Sequence, residues 1–141
     1  MLGPIHQLLY MSKASPSLTQ SDIQAILASA RKFNSDHAVT GLLIFRDGRF
    51  LQLFEGRTEA VKETYERITH DKRHGQIIVI QETFVERRLF ARWSMAYGEE
   101  LVAPDAAAKL FSNLDRAMRS ETLDQQVIMS ILEHFAKHAQ S

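Results

Sequence analysis

The sequence predicts an α+β protein of the ferredoxin-like class: a βαββαβ sandwich with one additional strand, followed by a C-terminal helical hairpin packed on the sheet. Three observations predict it. The strand-like apolar runs are short and are separated by two segments with helical spacing, two of the runs flank a tight turn, and 141 residues suffice for about one domain. Strands joined by both a hairpin and helical crossovers, with the helices on one face of the sheet, are typical of this class.

The first strand and the first helix occupy residues 5–34. Residues 5–12 form an apolar run of strand length, closed by turn-forming residues at 15–17. Thr19, followed three residues later by Asp22, resembles a capping box. The apolar residues that then recur at helical spacing are Ile23, Ile26, Leu27, Ala30 and Phe33. This pattern predicts a helix that ends near Asn34.

A β-hairpin follows. Residues 39–45 and 50–54 are strand-like runs on either side of Asp47 and Gly48, two residue types that tolerate positive φ in a tight turn. Thr58 is the predicted cap of a second helix whose apolar stripe is Val61, Thr64, Tyr65 and Ile68. This helix is expected to end near the basic cluster 72–75. Two further strands are predicted at 77–84 and 93–97.

The C-terminal 43 residues carry a different pattern. Pro104 precedes one amphipathic helical pattern, and residues 121–138 contain a second one. We therefore predict two units, an α+β domain at 1–98 and a two-helix extension at 99–141, whose apolar stripes cover the outer face of the sheet.

Composition excludes several classes of protein. The 17 basic and 17 acidic side chains cancel, which argues against a nucleic-acid or membrane partner. The chain has no cysteine, so a disulfide scaffold, a thiolate nucleophile and a cysteine-ligated metal are excluded. No apolar run approaches the ~18 residues of a membrane span. We place the protein in the cytoplasm.

Common catalytic and metal-binding signatures do not occur. The chain contains no nucleophile elbow, dinucleotide fingerprint or P-loop. His70 and His74 have the spacing of a helical zinc site, but two cations lie between them and no third ligand is evident, so we predict no metal. The sequence does not predict an enzyme.

Two polar residues on strands are more informative. Tyr10 lies in the first strand and Gln52 in the third, and these strands are central neighbours in the predicted order. A buried amide without partners costs about 1–3 kcal/mol, so Gln52 must face another polar group. The pair is either a structural contact or part of a site, and the residues alone leave both interpretations open.

The motifs around these residues occur in an order that resembles the BLUF family of flavin-dependent blue-light sensors. The matching segments are LYMS at 9–12, ARKFN at 30–34, VTGLL at 39–43, GRFLQLFEG at 48–56, YERI at 65–68, DKRH at 71–74 and RLFARWSM at 88–95. The resemblance covers residues 5–98. It implies a noncovalent FAD between the two helices.

The resemblance also implies roles for individual residues. Tyr10 matches the photochemical tyrosine, and Gln52 matches the glutamine between it and the flavin ring. Asn34 and Arg67 match residues that bind the pyrimidine side of the ring, with Asp71 close by.

Other positions match apolar and signalling roles. Ile26 and Ile68 would press on the two faces of the ring. Trp93 and Met95 match a pair on the last strand that exchange places near the glutamine. Phe33 departs from the pattern, because relatives often carry a polar residue there.

The implied function is light sensing without catalysis. The change at the flavin would pass through the last strand and the C-terminal helices to a downstream effector protein or to another subunit of a homo-oligomer. Two alternatives remain at this point. A small acylphosphatase-like hydrolase would use Arg67 and Asn34 to hold a phosphate and a water, and a cofactor-free interaction module would use only the sheet and the tail.

Overall fold

A computed structural model describes residues 3–46, 48–91 and 94–97, together with Ser112 and Glu133. The elements in chain order are β1 (Ile5–Ala14), α1 (Gln20–Asp36), β2 (Thr40–Arg46), β3 (Arg49–Gly56), α2 (Thr58–Thr69), β4 (His74–Val85) and β5 (Ala96–Tyr97). This order is the predicted βαββαββ. The predicted C-terminal hairpin and Trp93 lie outside the described residues.

The five strands form one sheet in the order β4-β1-β3-β2-β5. β1 and β3 are antiparallel neighbours at its centre, and β1 also pairs with β4. β5, the additional strand, runs parallel to β2 and pairs with it through only two residues. The ferredoxin-like prediction is confirmed, and the central position of β1 and β3 places Tyr10 opposite Gln52.

The start of α1 agrees with the sequence prediction. The Thr19 hydroxyl accepts the backbone N–H of Asp22 at 3.1 Å, and the Asp22 carboxylate accepts the backbone N–H of Thr19 at 2.9 Å. These reciprocal bonds satisfy two donors that a helix start would otherwise leave without partners, and such a cap contributes about 1 kcal/mol. In the β2–β3 turn, Gly48 adopts a φ of 75°, as the turn prediction requires.

The start of α2 differs from the prediction by one residue, and its end lies near the basic cluster, as predicted. Arg57, not Thr58, is the N-cap, because the Arg57 carbonyl accepts the first helical bond from Val61 and no side chain caps this end. The helix ends at Thr69, before the basic cluster. The Asp71 carboxylate accepts the backbone N–H of Arg73 at 3.0 Å, which turns the chain out of the helical path towards β4.

The core between sheet and helices has two parts. Leu43, Phe50 and Met95 pack with Ile23 and Leu27 of α1. A second cluster on the same face is formed by Leu8, Tyr10, Val39, Phe54 and Val61, the last of these from α2. Together they leave α1 and α2 side by side above the central strands.

The opposite face of the sheet is also buried. Because side chains alternate along a strand, this face carries the residues between those just named. They are Leu9, Met11, Leu42, Ile44, Leu51 and Leu53, each at most 3% exposed. The prediction that the tail covers this face concerns residues outside the described part of the chain. No helix within that described part is long and apolar enough to cross a membrane.

The connection after β4 is held by a buried carboxylate. Glu55 of β3 is 0% exposed and accepts the backbone N–H groups of Leu89 at 2.9 Å and Phe90 at 2.7 Å. Its other donors include the Gln7 amide at 3.1 Å. A buried charge needs such a set of donors, and together they fix the segment that leads towards β5.

Candidate functional site

A cleft opens between α1 and α2 above the central strands. It contains about 580 Å³ of space free of atoms, its open mouth included. Its floor is formed by Tyr10, Leu43, Phe50 and Gln52 of the sheet. The walls belong to the two helices and to the turn after α2.

Tyr10 and Gln52 meet on the floor of the cleft. They are direct partners in the β1–β3 register, and the Tyr10 hydroxyl donates a hydrogen bond to Gln52 Oε1. Tyr10 is 3% exposed and Gln52 is 6% exposed. Burial raises the pKa of the Tyr10 phenol above its ordinary value, and the nearby negative charge of Asp71 raises this pKa further. The phenol is therefore neutral and available as a donor.

The other end of the Gln52 amide points at Met95. Gln52 Nε2 donates to Met95 Sδ at 3.8 Å, and Met95 is 1% exposed. Sulfur is a weak acceptor, so this contact is easier to exchange than a bond to a carbonyl. Of Trp93 and Met95, the structure describes only Met95, and this residue contacts Gln52.

Asn34, in the last turn of α1, has one buried atom without a partner. Its Nδ2 donates to the Ser94 carbonyl at 2.7 Å, whereas its Oδ1 has no hydrogen bond although the residue is 1% exposed. Leaving a buried acceptor unsatisfied costs about 1–3 kcal/mol. Since Asn34 lines the cleft, a ligand that presents an N–H or O–H group removes this cost.

The turn after α2 brings a charged pair to the cleft. Arg73 donates to the Asp71 carboxylate from Nε at 2.9 Å and from Nη2 at 2.7 Å. These hydrogen bonds hold the pKa of the Asp71 carboxyl below its usual range. Arg73 lines the cleft beside Asp71. The sequence analysis did not predict this position, because it assigned Arg73 to the basic cluster at the end of the second helix.

The side walls are apolar. Ile26 of α1 packs beside the cluster that contains Phe50, and Ile68 of α2 packs beside the cluster that contains Tyr10. Both isoleucines line the cleft from opposite helices. A flat aromatic ring is complementary to two such walls with polar groups at the inner edge.

A sequence profile of the family described as "BLUF: Sensors of blue-light using FAD" matches residues 5–96. The chain belongs to the BLUF family. The match includes both helices of the cleft, β1 to β4 in full and the first residue of β5.

Curated BLUF relatives are larger proteins. Photoactivated adenylate cyclase subunit beta of Euglena longa is 30% identical over 98 residues, which are 68% of this chain and 11% of that protein. The blue light- and temperature-regulated antirepressor BluF of Escherichia coli K12 is 32% identical over 88 residues, which are 62% of this chain and 22% of that protein. The chain thus spans about a tenth of the cyclase subunits that it matches.

Two solved BLUF structures correspond to nearly the whole chain. The photo-activated state of BlsA superimposes with a TM-score of 0.78 at 28% identity and covers 94% of each chain. The dark-state structure of BlrB, a BLUF protein, gives a TM-score of 0.76 at 25% identity and covers 97% of this chain and 98% of that one.

Phe33 contacts two side chains beside the cleft, Arg67 and His37. The Arg67 guanidinium carbon lies 3.9 Å from the centre of the Phe33 ring, and His37 stacks on this ring at a centroid distance of 3.9 Å. Arg67 Nη2 also donates to Ser29 Oγ at 3.1 Å. The aromatic ring therefore holds Arg67 at the wall of the cleft through a cation–π contact.

His74 also lines the cleft, and it does not share a helix with His70, because α2 ends at Thr69. His74 Nε2 lies 2.8 Å from the Ile68 carbonyl and Nδ1 lies 2.6 Å from Ser12 Oγ. A carbonyl only accepts, so Nε2 donates to it. His70 Nδ1 bonds to the Glu66 carbonyl instead. The two histidines therefore bind different partners, His70 the Glu66 carbonyl and His74 the Ile68 carbonyl and Ser12.

Proposed function

We propose that this BLUF protein is a blue-light photoreceptor that binds FAD noncovalently in the cleft between α1 and α2. One observation carries the proposal: the buried Tyr10 hydroxyl donates to Gln52 on the floor of a cleft that is also lined by Asn34, whose buried Oδ1 has no hydrogen-bond partner. A phenol, a carboxamide and a second amide around one cleft form an arrangement suited to an isoalloxazine ring.

Besides Gln52, which would contact the flavin ring, five residues would hold the flavin. Asn34 would accept a hydrogen bond from the polar edge of the ring, and Arg67 and Asp71 would contact the same edge. Ile26 and Ile68 would pack on the two ring faces. This assignment is supported by the position of all five around the cleft and by the apolar character of its side walls.

A bound flavin supplies a strong one-electron oxidant when it absorbs blue light. With the flavin bound as electron acceptor, Tyr10 would be the electron donor, and its hydroxyl proton would pass to Gln52, the group to which it is already bonded. Once Tyr10 had regained an electron and a proton, Gln52 would be left in a different orientation or tautomer. The raised pKa of Tyr10 favours this order, since the phenol keeps its proton until it is oxidised.

Rearrangement of Gln52 changes its bond to Met95. An amide has a donor end and an acceptor end, so reversal presents an oxygen to the thioether sulfur, which cannot donate. Met95 must then shift or exchange with Trp93, and β5 begins at the next residue. We propose that β5 passes this change to the 99–141 extension, which acts as a separate unit beyond the 1–98 sensor domain.

The output would be an interaction and not catalysis by this chain. The cyclase and antirepressor relatives contain BLUF regions that are small parts of larger proteins. By analogy, we propose a separate effector protein in the cytoplasm, or a neighbouring subunit of a homo-oligomer, as the partner that reads the signal, with no nucleic acid or membrane contacted.

An absorption spectrum before, during and after blue illumination tests the proposal. A flavin band that shifts reversibly to the red supports it, and chromatography of the released cofactor distinguishes FAD from FMN. Colourless protein that hydrolyses acyl phosphates would support the hydrolase instead. Colourless, inert protein would support the interaction module.

A further inference from the structure

Met95 is held at both of its ends. Its side chain accepts a hydrogen bond from Gln52 inside the cleft, and its backbone carbonyl accepts one from Arg31 Nε at 2.9 Å. Arg31 lies on α1 and is partly buried. The residue that contacts the photochemical pair is therefore fixed to a cleft helix by a charged side chain.

Among the residues that the structure describes, the segment around Met95 makes few other contacts of this kind. There, β5 pairs with β2 through two residues, Ala96 and Tyr97. Just before it, the Ser94 carbonyl accepts a hydrogen bond from Asn34 at 2.7 Å. Arg31 and Asn34 are three residues apart on one face of α1, so two side chains of one helix hold two successive carbonyls. Because β5 pairs with β2 through so few residues, these side-chain hydrogen bonds contribute a large share of the interactions that fix the segment in position.

We propose that Arg31 is a positioning residue that fixes Met95 against Gln52 and thereby sets the rate at which the light-induced state returns to the dark state. The effect of Arg31 on the recovery rate rests on the proposed function, whereas its effect on the position of Met95 does not. Arg31 does not line the cleft, so it acts through Met95 and not through the flavin. A hydrogen bond to a charged donor ranks among the stronger ones in proteins.

Arg31→Leu removes the donor and keeps a good helix former. Lys32→Leu is the matched control, because it removes one positive charge from the exposed next residue of the same helix. Arg31→Lys retains a donor on a flexible chain. For Arg31→Leu we expect unchanged flavin content and a dark-recovery rate altered by about threefold to tenfold, the effect of one hydrogen bond. Lys32→Leu should recover like the wild type, and Arg31→Lys should lie between the two.

A second readout does not depend on light. In flavin-free protein labelled at its methionine methyl groups, the Met95 resonance is one of five and is assigned by its loss in Met95→Leu. We expect this resonance to move in Arg31→Leu, to move back towards its wild-type position in Arg31→Lys, and to stay in place in Lys32→Leu. Should Arg31→Leu not fold, Arg31→Gln is judged by the same two measurements.

The outcomes separate this inference from the proposed function. An unmoved Met95 resonance, or a wild-type recovery rate in Arg31→Leu, overturns the role of Arg31 while the photoreceptor stands. Wild-type protein without a light-induced shift overturns the photoreceptor, and the Met95 resonance then decides alone whether Arg31 positions this residue.

Discussion

Tyr10 and Gln52 are direct neighbours across the central strand pair, and the Tyr10 hydroxyl donates to the Gln52 amide oxygen. The same amide donates from its other end to Met95. One side chain thus connects the buried phenol to the start of β5. Any change in the orientation of the Gln52 amide affects both contacts at once.

Tyr10→Phe should retain flavin and lose the light-induced red shift, because the ring still fills the floor of the cleft but carries no transferable proton. It should also destabilise the protein by about 1–3 kcal/mol, since Gln52 Oε1 is left buried without its donor. Absorption spectra and urea unfolding measure the two effects. Tyr65→Phe on α2 is the control and should keep the shift; a full shift in Tyr10→Phe would contradict the proposed photochemistry.

Asn34→Ala should weaken FAD binding, because it removes the unpartnered acceptor of a residue that lines the cleft. The loss of one hydrogen bond predicts a Kd raised by about twofold to tenfold. Fluorescence titration of the flavin-free protein with FAD measures it. Ser35→Ala, at the exposed next position of α1, serves as the control and should bind like the wild type. Equal affinities for all three proteins would remove Asn34 from the binding site.

Phe33→Leu should also weaken FAD binding, by about twofold to fivefold, because the cation–π contact that holds Arg67 at the cleft is worth about 0.5–1 kcal/mol at such a site. The effect should vanish in an Arg67→Ala background, since Phe33 acts through Arg67. Phe84→Leu is a matched control, as Phe84 stacks on His6 away from the cleft. Additive losses in the double variant would show that Phe33 acts by another route.

Asp71→Asn should reduce the loss of stability in acid. Arg73 lowers the folded-state pKa of Asp71 below the ordinary value of 3.8, so the ionised carboxylate contributes stability above this pH. That contribution is lost as the pH falls through the folded-state pKa. Urea unfolding at pH 7 and at pH values below about 4 should therefore show a smaller decrease for Asp71→Asn than for the wild type.

Glu66→Gln is the control for this measurement, because Glu66 is exposed on α2. It should follow the acid dependence of the wild type. Identical pH profiles for wild type and Asp71→Asn would mean that the pair with Arg73 does not stabilise the folded protein.

The fold was predictable because its signals are local. Period-two and helical spacing, the Thr19 and Asp22 capping box and the turn at Gly48 each depend on a few neighbouring residues. The N-cap of α2 was predicted one residue too late for the same reason: Thr58 is a common capping residue, but Arg57 occupies the N-cap position without a side-chain hydrogen bond. Near the predicted end of the helix, the Asp71 carboxylate accepts the Arg73 backbone N–H and turns the chain towards β4.

By itself, the sequence determined the order of the elements, the central position of Tyr10 and Gln52, and the membership of the BLUF family, because periodicity and ordered motifs are written along the chain. Only the tertiary structure decided that Met95 contacts Gln52, that Arg67 packs on the Phe33 ring and that Arg31 donates to the Met95 carbonyl. These contacts join residues 34 to 64 positions apart, and their geometry is set by how the helices pack on the sheet.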